Sequence, residues 1–443
     1  MMKRKISEII SNIDEEYICE ATDYVKVKSN PLLEWIKGKF WLVGLVILIM
    51  ISARLIPVLL KFIDLGNKEK LIVCTDYIAY DTVELAVSSW KKSGREGSNL
   101  EVEIIKISRD ETAAQIKITE LRTEIMAGEG PDLFIFSTDL PYVTPDTRIT
   151  HMLFPNPEKF LYADVFLPLD SYLKESSYIN IENCNQAVLK AGQTDEGQLL
   201  LPIIYNYCAC IFPEEENNQE LPFPNSWEEI ISNETMIQAL LSQSSMGFLS
   251  YLGPYADYKR EELLVSEEDL IEQFNFSRFT KQQWENVSFE LVTTENFLRK
   301  YLKNSKGEIH TFYAVPNING GVTANISVYA GMNRNTKLAD EAFSLLENIY
   351  RSIITWESFP SRGIGIEQGD YIKKLYESWY GISSEDIESF YKMNNTITEA
   401  RFYSLWDYSL YDIFMSSYMD NDPEVIEQKL KDLYTTMQMQ LRE

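Results

Sequence analysis

Histidine is nearly absent from this chain: two residues, His151 and His310, among 443. That scarcity excludes His-based acid–base catalysis as a natural reading and leaves no His-rich metal site. Cysteine is also scarce and odd in number (Cys19, Cys74, Cys184, Cys208, Cys210), so there is no disulfide framework to read. Bases are outnumbered, 41 Lys and Arg against 67 Asp and Glu, for a net charge of −26. A chain short of positive charge lacks the basic face that phosphate backbones require, which excludes nucleic acid as the main partner. Glycine is limited to 19 residues while aromatics reach 12%, a composition that is neither low-complexity nor disordered. Nucleotide and hydrolase templates are missing too: there is no G-x-S-x-G, no G-x-x-x-x-G-K-[ST] and no H-E-x-x-H. Gly363-Ile364-Gly365 lacks the third glycine of a dinucleotide fingerprint. Cys208 and Cys210, at i and i+2 of an extended run, read as small buried hydrophobes because two further metal ligands are missing. Asp420 and Asp422 read as helix capping, not as a calcium site.

What is present is uneven. Phe40 to Ile63 reads FWLVGLVILIMISARLIPVLLKFI, without an acid and with only Arg54 and Lys61 as bases. As a helix, 24 residues span about 36 Å, enough for a hydrocarbon core of about 30 Å. Trp35 and Trp41 at its leading edge suit an interfacial aromatic belt. The run is longer than a signal-peptide core, and no small-residue cleavage site follows, so an uncleaved anchor over 40–63 is expected. Residues 1–39 are neutral, with seven bases and seven acids. Beyond residue 63 stand 32 bases and 60 acids, a balance of −28. Large folded domains translocate regardless of charge, so a short cytoplasmic tail (1–39) and a large extracellular acidic part are expected. The tail, with Ile6, Ile9, Ile10 and Ile13 in amphipathic order, resembles the short tails of certain Firmicutes membrane proteins, some related to anti-sigma factors. A surface helix beside the membrane fits the same pattern.

Past a polar linker (DLGNKEK, 64–70) the chain alternates between the two regular periods. LIVCT (71–75) is a buried strand, and Val83, Ala86, Val87 and Trp90 mark one face of a helix over 82–92. LEVEIIKI (100–107) is a second strand. Thr112 to Ala127 is a long helix with Ile116, Ile118, Leu121, Ile125 and Met126 as its apolar residues, and Leu133 to Phe136 is a third strand. This order predicts an α/β fold with a parallel sheet. Gln198 to Phe212 is a long extended run. Ser226 to Glu229 is a capping box, Asn319 to Met332 a glycine turn and strand, Leu338 to Tyr350 an amphipathic helix, and Asp422-Pro423-Glu424 opens a terminal helix to about Leu441.

LRTEIMAGEGPDLFIFSTD (121–139) is the most specific stretch: a helix, a Gly-x-Gly-Pro turn, a strand and a polar switch. Here the chain resembles the periplasmic-binding-protein-like solute-binding proteins of ABC transporters, family 1, in the sugar-binding branch that includes maltose-binding protein. The resemblance continues through KLIVCTDYIAYD (70–81), LYADVFLPLDSYL (161–173), the first crossing strand (197–212), PNSWEEI (224–230), the second crossing and its helix (322–349) and FPSRGIGI (359–366) at the third crossing. It departs in having Phe212-Pro213 where the family carries Tyr-Asn-Lys, and in a transmembrane anchor in place of a lipid.

The resemblance implies a two-lobed, type II periplasmic-binding-protein-like fold behind an N-terminal transmembrane helix. Residues 69–205 with 329–360 would form one lobe, and 206–328 with 361–443 the other. It implies a non-enzymatic protein without cofactor or metal, holding a small solute, a sugar foremost, in the cleft and passing it to an ABC permease. A ligand sensor signalling through the tail to a cytoplasmic partner is the alternative. By position in the family's pattern, the resemblance implies Asp76 and Tyr77 in the first ligand loop. It places Phe136 and Asp139 after the G-x-G-P turn, Tyr205 and Asn206 in the hinge strand, and Trp406 with Phe402 on one helix face at i, i+4. Each also has a plainer reading: Phe136, Trp406 and Phe402 as core, and Asp76, Asp139 and Asn206 as loop caps.

Overall fold

Alternation of β-branched runs with 3.6-period segments builds the first layer of the molecule. The structure, a computed structural model, describes residues 70–95, 97–137, 152–213, 232, 253–277, 288–292, 310–355, 363–417 and 422–442. The expected anchor over 40–63, the tail 1–39, Asp139, the capping box at 226–229 and Asp420 lie outside these residues. Among the described residues, no helix is long and apolar enough to cross a membrane.

Strands β1 (Lys70–Thr75), β2 (Glu101–Lys106) and β3 (Leu133–Ser137) are parallel, with β1 in the middle, Val73 opposite both Ile104 and Leu133. Helices α1 (Tyr80–Ser93) and α2 (Glu111–Met126) are the crossovers between them, as the sequence pattern predicts. In α1 the buried residues are Thr82, Val83, Ala86, Val87 and Trp90. In α2 they are Ala114, Ile118 and Leu121. Ile116 and Met126, expected among its apolar contacts, are 58% and 88% exposed. Two residues from Ile118, Ile116 is turned about 200° around the helix and points away from the sheet. The G-x-G-P turn is as expected: Gly128 and Gly130 have φ of +77° and +98°, values a side chain would strain. Asp132, just before β3, accepts from the Ile72 amide (2.8 Å) and from the Thr336 hydroxyl (2.6 Å), tying the turn to β1.

Three short helices follow, α3 (Pro157–Phe160), α4 (Asp170–Glu175) and α5 (Gln186–Lys190), then a small hairpin of β4 (Gln193–Thr194) and β5 (Gly197–Gln198). Next comes the longest strand, β6 (Leu200–Pro213). A second hairpin, β7 (Ala256–Asp257) with β8 (Glu262–Leu263), precedes helix α6 (Glu267–Ser277), β9 (Ser288–Val292), β10 (His310–Ala314) and β11 (Thr323–Met332). The last elements are α7 (Ala339–Thr355), β12 (Ile364–Gly365), α8 (Asp370–Tyr380), α9 (Ser384–Asn394), β13 (Glu399–Phe402), α10 (Leu405–Ser417) and α11 (Pro423–Arg442).

Both long strands change neighbours along their length. β6 pairs antiparallel with β11 over Leu200–Asn206, then with β9 and β10 over Tyr207–Pro213. β11 lies beside parallel β13 over Thr323–Ile326 and beside antiparallel β3 over Val328–Met332, with a bulge at Ser327 between. β12 pairs with the middle of β6, so Ile364, Tyr205 and Ile326 stand in one row.

Two hydrophobic cores result. The larger gathers the β1–β3 sheet, α1, α2 and α7, and extends to α8 and α9. The smaller contains Tyr255, Trp406 and the buried face of α11: Ile426, Leu430, Leu433, Met437 and Leu441. β6 serves both, giving Ile203 and Tyr205 to the first and Cys208 to the second.

Candidate functional site

The carboxyl ends of β1 and β3 meet at Asp76, the first residue after β1. One of its carboxylate oxygens accepts from the Ile78 and Ala79 amides, both at 2.8 Å, and the other accepts from the Ser137 amide at the end of β3. Burial pushes its carboxyl up to about 6, against the pull of those amides. Asp76 therefore closes the loop into α1 and clamps two strand ends together, and its oxygens are aimed at the chain's own backbone. Tyr77 beside it is half-buried and packs against the smaller core.

Phe136, one residue before Ser137, is 5% exposed. Its ring stands at 88° to Phe154 (5.7 Å between centroids) and tilted to Tyr329 (6.1 Å), its cross-strand partner. Tyr329 in turn meets Phe402 edge-on at 5.1 Å. Adjacent positions on a strand point to opposite faces, and Tyr205 and Asn206 follow that rule. Tyr205 lies in the larger core, where the Gln368 side chain donates to its hydroxyl (3.3 Å). Asn206 accepts from the Tyr403 hydroxyl (2.8 Å). Both residues lie in β6, the long crossing strand, with Tyr205 in the larger core and Asn206 bonded to Tyr403 of the smaller.

Trp406 is 1% exposed. It stacks on Tyr258 (5.9 Å, 19°), meets Tyr255 edge-on (6.3 Å), and its indole donates to the Gln440 side chain (2.6 Å). Phe402 does not share its helix: Phe402 ends β13, and α10 begins at Leu405. Ser404 separates the two elements, its amide and hydroxyl both donating to Asp407.

Sequence reasoning missed the strongest polar feature of this region. Arg401 is fully buried and forms a two-pronged pair with Asp407, at 2.8 and 2.7 Å. Tyr255 donates to the same carboxylate (2.6 Å), and the Arg401 guanidinium lies 4.2 Å over the Tyr255 ring. Glu158 of α3 accepts from the Phe402 amide (2.9 Å), and burial pushes its carboxyl up to about 7. An arginine and an aspartate flanking an aromatic run, R-F-Y-S-L-W-D, was the available signal.

Along the seam between the two cores, Phe136 reaches Phe402 through Tyr329 on the larger-core side, Asn206 holds Tyr403 beside Trp406 on the smaller-core side, and Asp76 joins β3 through the Ser137 amide. The seam offers ring faces, amides and hydroxyls. Among the described residues, no group of three or more His, Cys, Asp and Glu side chains is placed to hold a metal ion. Cys74, Cys184 and Cys208 are buried, and none of the three is in a disulfide.

No protein-family model matches the sequence, and no curated protein does. Solved structures do match. The bacterial solute receptor AcbH, which has an exclusive substrate preference for β-D-galactopyranose, is 12% identical with a TM-score of 0.52, over 84% of this chain and 98% of that one. An extracellular solute-binding protein of family 1 from Alicyclobacillus acidocaldarius subsp. acidocaldarius DSM 446 is 14% identical with a TM-score of 0.46, over 84% and 98%. A periplasmic oligogalacturonide-binding protein from Yersinia enterocolitica is 14% identical with a TM-score of 0.48, over 84% and 99%. At such identities the likeness is one of architecture, and it says that this chain has the α/β fold of the extracellular solute-binding proteins.

Proposed function

We propose that the chain is a membrane-anchored extracellular solute-binding protein, non-enzymatic, that captures a small carbohydrate for the permease of an ABC importer. In this reading residues 40–63 anchor it, 1–39 face the cytoplasm, and two lobes (69–205 with 329–360, and 206–328 with 361–443) close over the solute. The observation that carries it is the row formed by β12, β6 and β11 at Ile364, Tyr205 and Ile326. Three strands side by side, two of them changing partners at that level, are what a hinge between lobes needs, since a few backbone rotations there swing one core against the other. AcbH, of the same fold, takes a galactopyranose.

The contact set is Asp76, Tyr77, Phe136, Asp139, Tyr205, Asn206 and Trp406, with the roles divided. Tyr77 and Asn206 offer hydrogen bonds to hydroxyls, Trp406 and Phe136 offer ring faces to the C–H faces of a sugar, and Asp76 holds the loop that presents Tyr77. Opening at the hinge row frees the seam for the solute. Thermal unfolding of the full chain with a panel of neutral mono- and oligosaccharides tests this. A true ligand at about 100 times its Kd adds about 2.7 kcal/mol of stability. Tyr77→Ala removes that gain, measured against the variant's own ligand-free midpoint. A panel in which no sugar moves the midpoint defeats the reading.

A second reading, a ligand sensor working through the tail, is favoured by one observation: the seam is filled by the chain's own groups, Trp406 by Tyr258 and Gln440 and Asp76 by three amides. A self-filled seam with a cytoplasmic tail suits a switch. Capture of a cytoplasmic signalling protein by residues 1–39 supports it, and an empty capture counts against it.

A further inference from the structure

A crevice of about 530 Å³ opens between α2, α3, the start of α10 and the end of α11. Among its lining residues are Arg122, Lys159, Asn156, Gln115, Gln440 and Phe160, and no lining residue is acidic. In a chain of net charge −26, a crevice with two cations and no carboxylate among its lining residues runs against the composition. Neither cation has a carboxylate partner among the described residues. Arg122 donates from Nε to the Leu153 carbonyl (3.1 Å) and from one terminal nitrogen to the Met152 carbonyl (2.9 Å). Lys159 donates to the Gln440 carbonyl at 2.5 Å. The one acid next to Lys159 in sequence, Glu158, turns its oxygen to the Phe402 amide. Burial alone pushes the Arg122 guanidinium down, with no anion offsetting it.

Asn156 supplies a second, independent observation. It is 4% exposed, and its side-chain oxygen accepts no hydrogen bond among the described residues. A buried amide oxygen is costly to leave without a donor. Gln115 and Gln440 add amides to the same walls, and the Phe160 ring adds an apolar face.

We infer that this crevice is a binding site for a small polyhydroxylated anion, a sugar bearing a carboxylate or a phosphate. Arg122 and Lys159 take the charged group through charge-assisted hydrogen bonds, and Asn156, Gln115 and Gln440 take hydroxyls. The fit is chemical: two cations already fixed by backbone carbonyls present preorganised charge. The inference does not rest on the cleft reading above, because none of the residues assigned to the sugar cleft lines the crevice; Gln440 borders it by receiving the Trp406 indole.

Calorimetry on the full chain in detergent, with D-glucuronate, D-glucose 6-phosphate and D-glucose as separate probes, tests it. One or both anionic probes bind, and D-glucose does not compete for that site. The carboxylate and phosphate arms tell which anion the crevice takes. Lys159→Gln weakens the anionic probe roughly tenfold, as loss of one charge-assisted hydrogen bond requires, while Lys159→Arg retains most of the affinity. Raising the salt weakens the anionic probe in the parent chain and less so in Lys159→Gln. Arg122→Lys, which keeps the charge, is the companion variant. The Lys159 ammonium donates to the Gln440 carbonyl, so Lys159→Gln, which can still donate, is checked by its unfolding midpoint and Lys159→Arg serves as the folded control. The absence of heat with both anions, or equal affinity in the parent chain and Lys159→Gln, overturns the proposal; failure of every neutral sugar in the earlier panel leaves it standing.

Discussion

Arg401 and Asp407 show how one residue pair decides a local structure. The carboxylate receives the guanidinium, the Tyr255 hydroxyl, and the amide and hydroxyl of Ser404, so its charge is solvated entirely by the protein. Removing one partner strands the other. Arg401→Met is expected to cost about 3–5 kcal/mol in urea unfolding, and Arg401→Met with Asp407→Leu about half of that or less. Equal losses in the single and double variants would show that the arginine's packing, not its charge, holds the site. Glu158, facing the same region, titrates in the physiological range. Its carboxyl is raised from 4.5 to about 7, so the folded chain keeps a proton that the unfolded chain gives up between those values. Folding is therefore favoured at low pH, and that contribution is lost as pH rises through about 7. Asp76 acts in the same direction at lower pH, between 3.8 and about 6. Glu158→Gln should flatten the fall in stability between about pH 5 and about pH 8 relative to the parent chain, measured by chemical unfolding at both ends. An unchanged slope would place the titration elsewhere.

At the scale of elements, the segments legible in the sequence are those with an unbroken period. α1 could be read because Val83, Ala86, Val87 and Trp90 fall on one stripe and all four are buried. β6 could be read because fifteen residues from Gln198 contain few that oppose extension. Its change of neighbours at Asn206 was not legible, since strand pairing is set by distant segments. Phe402 was misplaced because spacing alone cannot distinguish a continuous helix from a strand followed by a helix. The missing cue was local: Ser404-x-x-Asp407 is a capping pair that starts α10 after Ser404 and leaves Phe402 in β13. Most of the candidate site was illegible for a related reason. Sequence position brings Asp76 and Trp406 to strand and helix ends, while the three amides on Asp76 and the Tyr258 ring on Trp406 come from folding. Gly363 gives a prediction at this scale. A Cβ there would stand 2.3 Å from the Ile204 side chain and 2.6 Å from the Tyr205 carbonyl, so β12 lies against β6 only because that position is glycine. Gly363→Ala should force the two strands apart, cost about 1–3 kcal/mol by overpacking, and change sugar affinity if the row is a hinge. A variant as stable as the parent chain would mean that β12 docks loosely.

For the whole molecule, the two cores share their strands. β6 gives neighbouring residues to both, Tyr207 and Ala209 to the larger core and Cys208 to the smaller, and β11 joins β3 on one side of its bulge and β13 on the other. Lys70 to Glu443 accordingly forms one compact unit. Specific ties hold the larger core: the Trp90 indole donates to Ser344 (3.0 Å), Arg95 pairs with buried Glu347, and Glu158 holds the Phe402 amide. Neither core keeps its sheet if the other unfolds, because losing the β9–β10 side exposes half of β6, and losing the β3 side exposes half of β11. Chains of this length often melt in steps, domain by domain. This one should not. Calorimetry of the full chain is expected to show one heat-absorption peak for the part beyond residue 69, with intrinsic tryptophan fluorescence and far-UV dichroism changing at the same temperature. Two separated peaks, or a fluorescence change that precedes loss of secondary structure, would mean that the cores are joined only at a flexible crossing. A single transition that moves as a whole when a sugar is added would mean that the solute grips both cores at once, as closure about the Ile364–Tyr205–Ile326 row requires.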